Sequence, residues 1–327
     1  MKELNIRSNE AGQRLDKFLG KYLNLAPRSF LYKMMRKKNI TLNGRKASGG
    51  EKLSEGDIVR FFLSDDTIEK FSGLQAAPSP NRTKNVRLDI IYEDEHTIFI
   101  NKPVGMLSQK AAKDDMSAVE YLTDYLLNTG QITQEELKTF RPSVCNRLDR
   151  NTSGILSAGK TLAALQQLSE MFQVRSLQKY YLCLVAGRIE ERSRISGYLT
   201  KDARANKVSL HCEASKRTSR IETEYRPLSS NGNVTLVEVH LITGKTHQIR
   251  AHMASLGHPI IGDYKYGNRR INEQYRRDYG LSSQFLHAYR LCFPECTGAL
   301  SELSGKTLTA DMPELFEKIC QDTKITY

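Results

Sequence analysis

The sequence predicts an α+β protein in which a small basic α/β module precedes a larger domain with a mixed, largely antiparallel sheet. The chain has 327 residues, which is more than one ordinary domain. Residues 72–85 are small, polar, proline-bearing and without periodicity, so they are predicted to be a flexible linker between domains 1–71 and 86–327. After the linker, strand patterns do not alternate regularly with helices, which favours antiparallel pairing over βαβ units.

Two helices and a small sheet are predicted in the first segment. One helix follows from apolar residues at helical spacing: Leu15, Phe18, Leu19 and Tyr22. A second helix begins at Pro27 and carries the apolar stripe Phe30, Leu31, Met34 and Met35. Asn43-Gly44 is a strong two-residue turn signal between short strands, and "DIVRFFL" at 57–63 is typical of a closing strand.

The second segment is richer in strands. "LDIIYEDEHTIFINKP" at 88–103 predicts two short strands, and helices are expected near 117–129 and 161–173. Further strands are predicted at "GILSAGKT" (154–161), "QKYYLCLVAG" (178–187) and "VTLVEVHLITG" (234–244). In the last of these, one face carries Thr235, Val237, Val239 and Leu241. "THQIRAHMASLG" is typical of a helix that ends with Gly257 at C′.

The charge of the chain is concentrated at its N-terminus. Residues 1–50 contain twelve Lys or Arg and three Asp or Glu, so +9 of the net charge of +12 lies there. Such a basic module favours a polyanionic partner such as nucleic acid. The alternative is a basic helix face that is merely solvated.

The cellular compartment of the protein is predicted from its cysteine pattern and from the lack of an apolar targeting or membrane-spanning segment. Its six cysteines are scattered without a CxxC pair, which favours reduced thiols over a disulfide framework. "MKELNIRSNE" has no apolar segment typical of a signal peptide, and no run approaches the roughly 20 apolar residues of a membrane span. A cytoplasmic protein with no membrane association is therefore expected.

One short motif, "NRLDRNTSG" at 146–154, surrounds the single carboxylate of Asp149 with Arg147 and Arg150. The residues alone leave three interpretations open: a structural ion pair, a helix N-cap, or a catalytic carboxylate held ionised. Its predicted place on a loop beside the sheet favours function, since catalytic groups concentrate on loops positioned by a rigid scaffold.

Two resemblances bear on these interpretations. The first fifth of the chain, with its two helices, hairpin and basic residues, resembles the S4 RNA-binding domain. Four ordered blocks between residues 86 and 294 resemble the RluA family of pseudouridine synthases: "NKPVGMLSQ" (101–109), "NRLDRNTSG", "QKYYLCLVAG" and "LITGKTHQIRAHMASLGHPIIGDYKYG" (241–267).

The resemblance implies roles for individual residues. The catalytic residues would be Asp149, from the family's HRLD block, with Tyr181 from its K-x-Y block and Arg250 from its THQIR block. Substrate binding would fall to Arg147, Lys179, Lys245, His247 and Gln248. RNA binding by the S4 domain would use Arg14, Arg28, Lys33, Arg36, Lys37 and Lys38. The chain departs from the family at Asn146, where the family has His, and at Lys245, where Arg is common and bidentate geometry is lost.

The implied reaction suits these side chains. Pseudouridine formation breaks the bond from ribose C1′ to uracil N1, rotates the base and rebuilds the link through C5, without ATP, redox cofactor or metal. It needs an ionised carboxylate, either to attack C1′ or to deprotonate C2′. A nearby Arg favours the ionised form, so Arg250 is predicted to pair with Asp149. Tyr181 would stack on the displaced base and its hydroxyl could handle the final proton.

Two further expectations concern the uridine and the loop that receives it. The target uridine must be flipped out of any helix, because C1′ and C5 are inaccessible in a stacked strand. Thr152 and Ser153 are expected to shape the Asp149 loop through local hydrogen bonds.

A metal site at His247, His252 and His258 is disfavoured because residues five apart do not share a helix face, and core hydrogen bonds or RNA contacts are favoured instead. Cys292 and Cys296 lack a second ligand pair for zinc.

Structured RNA is the expected partner, without an obligate protein partner. Ribosomal RNA of the large subunit is favoured over transfer RNA. A non-catalytic RNA-binding or ribosome-assembly protein would have lost a catalytic residue, and a hydrolase would need a second carboxylate beside Asp149.

Overall fold

The residues that the structure describes fold around two separate β-sheets, each with its own hydrophobic core. The computed structural model describes residues 1–73, 87–112, 114–202, 207–216 and 218–326. All of the predicted linker except residues 72 and 73 lies outside these residues. No helix in the described residues is long and apolar enough to cross a membrane.

The N-terminal module packs two helices on a four-stranded sheet of order β1-β4-β2-β3. Its elements are β1 Lys2–Asn5, α1 Leu15–Tyr22, α2 Arg28–Arg36, β2 Ile40–Leu42, β3 Arg45–Lys46, β4 Ile58–Phe61 and α3 Asp65–Phe71. The predicted helices, hairpin and closing strand are confirmed, whereas β1 and α3 were not predicted. Asn43 and Gly44 both have positive φ, 50° and 72°, as a two-residue hairpin turn with the right-handed twist of its strands requires.

The second part is built on one large sheet of order β11-β10-β12-β13-β9-β14-β8-β6-β5, with β15 on β14 and β7 on β8. Its first elements are β5 Ile90–Glu93, β6 Thr97–Lys102, α4 Ala118–Asn128, a 3₁₀ turn Glu136–Lys138, β7 Ser143–Val144, β8 Ser153–Gly159 and α5 Leu162–Val174. The sheet continues with β9 Gln178–Ala186, β10 Ser193–Asp202, β11 Lys207–His211, β12 Ser219–Ser230 and β13 Val234–Leu241. The last elements are α6 Gln248–Ser255, α7 Arg269–Tyr279, β14 Leu286–Cys292, a 3₁₀ turn Gly298–Leu303, β15 Thr307–Thr309 and α8 Glu314–Asp322.

The sheet is antiparallel at every described pairing except β14 with β8, so the predicted fold class is confirmed. Its central strands β9 and β13 are buried on both faces along most of their length. The sequence predicted one buried face for β13, and the structure shows that the opposite face is buried as well. Burial on both faces makes the centre of the sheet a rigid platform for the loops at its edge.

The two parts touch each other. Asn9 Oδ1 accepts a hydrogen bond of 2.7 Å from the N–H of Leu162, the first residue of α5. Thr139 Oγ1 donates to Glu10 Oε1 at 2.5 Å. These contacts place the N-terminal module against the start of α5 and the turn that follows α4.

Candidate active site

Asp149 lies in the loop that joins β7 to β8, and 28% of its side chain is exposed. Its carbonyl oxygen accepts a hydrogen bond of 3.0 Å from the N–H of Thr152, which closes a tight turn. Just beyond this turn, a Cβ added to Gly154 (φ 109°) would lie 2.2 Å from the carbonyl oxygen of Ala288 on β14. Only glycine permits this approach, so the turn is held directly against the sheet.

The backbone on both sides of Asp149 is fixed by the block at residues 101–109. On one side, the Ser108 hydroxyl donates to Leu148 O at 2.9 Å and accepts from Leu148 N at 3.0 Å. On the other side, Lys102 Nζ donates to Arg150 O at 3.1 Å. The carboxylate is thus carried on a peptide that is anchored at both of its neighbours.

Lys102 was not predicted to be a site residue, yet its side chain is fully buried. Its ammonium group also donates to the carbonyl oxygens of Pro103 and Met106, both at 2.9 Å. Burial lowers the pKa of Lys102 to about 7, and the negative charge of Asp149 opposes this change. Three carbonyl acceptors match the three donors of the ammonium ion, so the lysine joins the loop after β6 to the loop that carries Asp149.

The predicted partner of Asp149 is confirmed by the geometry. Arg250 Nη1, on α6, donates to Asp149 Oδ2 at 2.9 Å, and His247 Nε2 lies 3.6 Å from the same oxygen. The adjacent Arg150 instead donates from Nε to Gly105 O at 3.1 Å, and Arg147 is exposed. The ion pair is formed by residues distant in sequence rather than by the neighbours that drew attention to the motif.

Arg250 is itself held by Asp263, a residue that the sequence analysis missed. The guanidinium group donates through Nε to Asp263 Oδ2 at 2.7 Å and through Nη2 to Oδ1 at 2.9 Å. Asp263 is 1% exposed. Burial acts to raise the pKa of Asp263, but hydrogen bonds and charge from Arg250 outweigh it and the pKa is lowered. Two of the three guanidinium nitrogens are thus bound by Asp263, and Nη1 is directed at Asp149.

His247 lies between Asp149 and Tyr266, with one ring nitrogen facing each. Tyr266 Oη accepts from Val208 N at 2.8 Å and lies 3.0 Å from His247 Nδ1. The Asp149 carboxylate beside Nε2 can only accept, which favours the tautomer with the imidazole proton on Nε2, and in that tautomer Nδ1 accepts from the Tyr266 hydroxyl. Burial lowers the pKa of His247, and Asp149 opposes this. The structure thus presents Asp149 with a neutral imidazole N–H.

Tyr181 lies on β9, paired with Val239 of β13 and Ala288 of β14 at the centre of the sheet. Only 8% of it is exposed. Burial, reinforced by the negative charge of Asp149, holds the pKa of Tyr181 well above its ordinary value. The hydroxyl therefore stays protonated near neutral pH.

The other predicted substrate-binding residues differ in exposure. Lys245 is exposed, and Lys179 is half-buried, with a pKa lowered by burial and by the charge of Arg175. Gln248 is 2% exposed and fully engaged: Oε1 accepts from Thr243 Oγ1 and Lys245 N, and Nε2 donates to Glu222 O and Thr223 Oγ1. Gln248 therefore holds the loop before α6 together, and this geometry does not support its predicted contact with substrate.

The departure at Asn146 has a structural explanation. Its amide donates to Ile155 O at 3.2 Å and accepts from Ser157 N at 2.8 Å, so it binds the backbone of β8 and fixes the start of the Asp149 loop. The expectation of local hydrogen bonds at Thr152 and Ser153 is wrong, because both side chains bind residues more than a hundred positions away. Gln284 Nε2 donates to Thr152 Oγ1 at 3.2 Å, and Ser153 Oγ lies 2.9 Å from His287 Nδ1.

The other two histidines considered for a metal site, His252 and His258, make hydrogen bonds instead, as predicted. His252 Nδ1 lies 2.8 Å from Thr223 Oγ1, and His258 Nδ1 lies 2.8 Å from Ala186 O. Among the described residues, no three His, Cys, Asp or Glu side chains are grouped closely enough to hold a metal ion.

Replacing Tyr266 by Phe is expected to lower kcat about tenfold with little change in KM. His247 Nδ1 would lose its donor, and one hydrogen bond of ~1.4 kcal/mol corresponds to a factor of ten in rate. Steady-state kinetics measure this, with Tyr121→Phe on α4 as a matched control. An unchanged kcat, or an equal loss in the control, would show that Tyr266 does not act through His247.

Comparisons with known proteins show the family to which the chain belongs. Family models match at residues 96–255 (RNA pseudouridylate synthase) and at residues 13–59 (S4 domain). The chain is 32% identical over 297 residues to ribosomal large subunit pseudouridine synthase C of Vibrio cholerae, covering 89% of this chain and 88% of the relative. It is 31% identical over 330 residues to the protein of that name from Haemophilus influenzae, and the alignment covers 98% of this chain and 95% of that relative.

A solved structure shares the fold. Human RNA Pseudouridylate Synthase Domain Containing 4 superimposes with a TM-score of 0.59 at 22% identity, over 79% of this chain and 99% of that one.

Proposed function

Because the chain belongs to the RNA pseudouridylate synthase family, we propose that it isomerises uridines in ribosomal RNA of the large subunit, with Asp149 as the catalytic carboxylate. The observation that carries the residue assignment is the 2.9 Å contact between Asp149 Oδ2 and Arg250 Nη1. Arg250 sets a positive charge directly beside the carboxylate on which the proposed reaction depends. Proposed catalytic partners are Arg250 and Tyr181, and Arg147, Lys179, Lys245 and His247 are proposed to contact the substrate.

The geometry supports a sequence of events at the uridine. The flipped nucleotide would enter over the exposed part of Asp149, so that the carboxylate acts on the ribose at C1′ or C2′ while the bond to N1 breaks. Tyr181 would lie against the displaced base as it rotates. After C5 bonds to C1′, the C5 proton leaves to water and N1 takes up a proton from water, so that the product has an N1–H in place of the C5–H. The raised pKa of Tyr181 favours a hydrogen-bond donor role for its hydroxyl over that of the final base.

Ribosomal RNA is favoured over transfer RNA because the curated relatives are named for the large ribosomal subunit. A ribosomal substrate also implies action in the cytoplasm. The test is to map pseudouridines in total RNA from cells with and without this protein. Sites lost only from transfer RNA would contradict the proposed substrate but leave the isomerase activity in place.

We propose that residues 1–71 direct RNA binding and that residues 86–327 contain the complete active site. The support is the separate core of the module and the exposure of its basic side chains: Arg14, Arg28, Lys33, Arg36, Lys37 and Lys38. Phosphate contacts supply affinity and register rather than chemistry.

A fragment of residues 80–327 is therefore expected to convert uridine at saturating RNA but to bind it more weakly. Its log–log salt slope should be flatter by roughly one unit per lost phosphate contact. Loss of the Asn9 contact to α5 should also cost about 1 kcal/mol of stability. Binding and turnover at several salt concentrations measure this. A folded but inert fragment would place the module in the active site, and an unchanged slope would show that it does not dock RNA.

A further inference from the structure

A second basic surface lies outside the N-terminal module, on α7 and the loop before it. Residues 264–279 contain five Lys or Arg and two Asp or Glu. Arg269, Arg270, Arg276 and Arg277 are all exposed. Tyr264 is 46% exposed, which is unusual for a large aromatic ring in this chain. The described roles at the active site use none of these side chains.

This surface is joined rigidly to the active site. Asn272, one turn into α7, donates from Nδ2 to Asp263 O at 2.9 Å and accepts at Oδ1 from Gly262 N at 2.8 Å. Gly267 N also donates to Asp263 O at 2.8 Å, and a Cβ at Gly267 would lie 2.2 Å from that oxygen. Asp263 is the residue that holds Arg250 against Asp149. Asp263 thus connects the start of α7 to the ion pair between Arg250 and Asp149.

A cleft of about 380 Å³ opens between the loop and the helix. It is lined by Tyr264, Gly267, Arg269, Asn272, Glu273 and Arg276. The pairing of Arg276 with Glu273 is long, at 4.0 Å, and both side chains are largely exposed, so it holds the arginine weakly. The cleft is within the size range of small-ligand sites and offers two guanidinium groups beside an exposed aromatic ring.

We infer that this cleft, together with the arginines of α7, binds the single-stranded RNA that adjoins the flipped uridine. Arg269 and Arg276 contact phosphates, and Tyr264 stacks against a neighbouring base. The inference rests on the proposed function, which places RNA at Asp149. A flipped target leaves its neighbours partly unstacked, and a planar guanidinium beside an aromatic ring is the combination that binds single strands without reading sequence. An acidic peptide would use the arginines but has no base for Tyr264.

The experiment uses the full-length protein and two RNAs, a short single-stranded oligouridylate and a transcript of large-subunit ribosomal RNA. The double variant Arg269→Gln/Arg276→Gln is expected to bind both RNAs about tenfold or more weakly. Its salt slope should fall by roughly two units, one per lost phosphate contact. Its kcat at saturating transcript should stay within about twofold of the wild type.

The control is Arg188→Gln/Arg192→Gln, a pair of arginines that are 66% and 70% exposed on the loop after β9. This variant removes the same charge far along the sheet from Tyr181 and should keep the wild-type slope. Stacking is tested separately: Tyr264→Ala should weaken oligouridylate binding ~5- to 150-fold, whereas Tyr264→Phe should retain it.

The outcomes separate this inference from the substrate proposal. If the wild type converts the transcript but the α7 variants keep its affinity and slope, the surface assignment is wrong. Equal losses in the Arg188/Arg192 control would also overturn it, since the effect would be that of net charge. If the wild type converts no uridine in the transcript while the α7 variants lose oligouridylate binding, the ribosomal substrate fails and the RNA surface stands.

Discussion

Replacing Asp149 by Asn is expected to abolish pseudouridine formation while leaving RNA affinity nearly unchanged. The amide is close in shape and still offers an oxygen to Arg250 Nη1, but it can neither attack C1′ nor accept a proton from C2′. Arg250 keeps a counter-ion because Asp263 binds its other two nitrogens. The rate of the chemical step should fall roughly 10⁴-fold or more. Release of tritium from C5 of labelled uridine in single-turnover reactions measures it.

Two controls define this result. Asp66→Asn makes the same chemical change at an exposed residue of α3 and should leave turnover at the wild-type level. Thermal unfolding of Asp149→Asn should stay close to that of the wild type, since the carboxylate is partly exposed and its partner stays paired. Substantial turnover in a folded Asp149→Asn protein would show that the chemistry belongs to another group.

Sequence patterns predicted what depends on neighbours in the chain. The apolar residues of α1 all proved buried, because a spacing of three and four places side chains on one helix face. The Asn43-Gly44 turn followed from the φ values that these residues accept. Asp149 could be singled out because its motif occurs in one of four blocks in a recognised order.

The sequence could not show which distant residues complete the site. Asp263 and Tyr266 lie in the same quoted block as Arg250, but nothing in spacing indicates that one binds the guanidinium and the other a histidine. Lys102 lies in a predicted strand segment and has no distinguishing sequence signal, and only the fold shows three carbonyl oxygens converging on it. A buried hydrogen-bond network is a property of tertiary packing, which periodicity does not encode.

One missed element did carry a local signal. Ile271, Tyr275 and Tyr279 recur every four residues, between an Asn at position 268 and Gly280. In the structure Asn268 caps the start of α7 by accepting from Arg270 N and Ile271 N, and Gly280 ends it with φ 74°. The dense charge of this stretch obscured an amphipathic helix that its capping residues could have revealed.

Replacing Asp263 by Asn is expected to destabilise the fold and to impair catalysis together. The carboxylate is 1% exposed and makes both bonds of a bidentate pair, so Asn removes its charge and one of its two acceptors from the buried Arg250, which keeps its ion pair with Asp149. Removing one partner of a buried pair costs about 3–5 kcal/mol of unfolding free energy. Arg250 would then turn toward Asp149 and occupy the carboxylate that acts on the ribose. We expect kcat to fall about 10²- to 10³-fold, because Arg250 and Asp149 would no longer be held in position, and we expect a smaller change in KM.

The pH dependence of stability gives this prediction a second readout. The pKa of Asp263 is lowered on folding, because the bonds and charge of Arg250 and the N–H groups of Lys265 and Tyr266 outweigh burial. A lowered folded-state pKa means that the stabilisation is present above the ordinary value of about 4 and is lost as the pH falls through the lower value. Denaturant unfolding should therefore show the variant well below the wild type at neutral pH, with a gap that narrows in acid.

A matched surface substitution distinguishes this from a general effect of charge. Glu190→Gln removes the partner of Arg188, where both side chains are 66% exposed, and such pairs contribute at most about 1 kcal/mol. It should leave kcat and the pH profile of stability as in the wild type. Asp263→Glu keeps the charge but shifts the fork by one methylene, so it should recover more stability than turnover. Asn can offer the guanidinium group only one acceptor, whereas Asp263 offers two. If Asp263→Asn kept full kcat, the position of Arg250 beside Asp149 would therefore not depend on the buried bidentate pair.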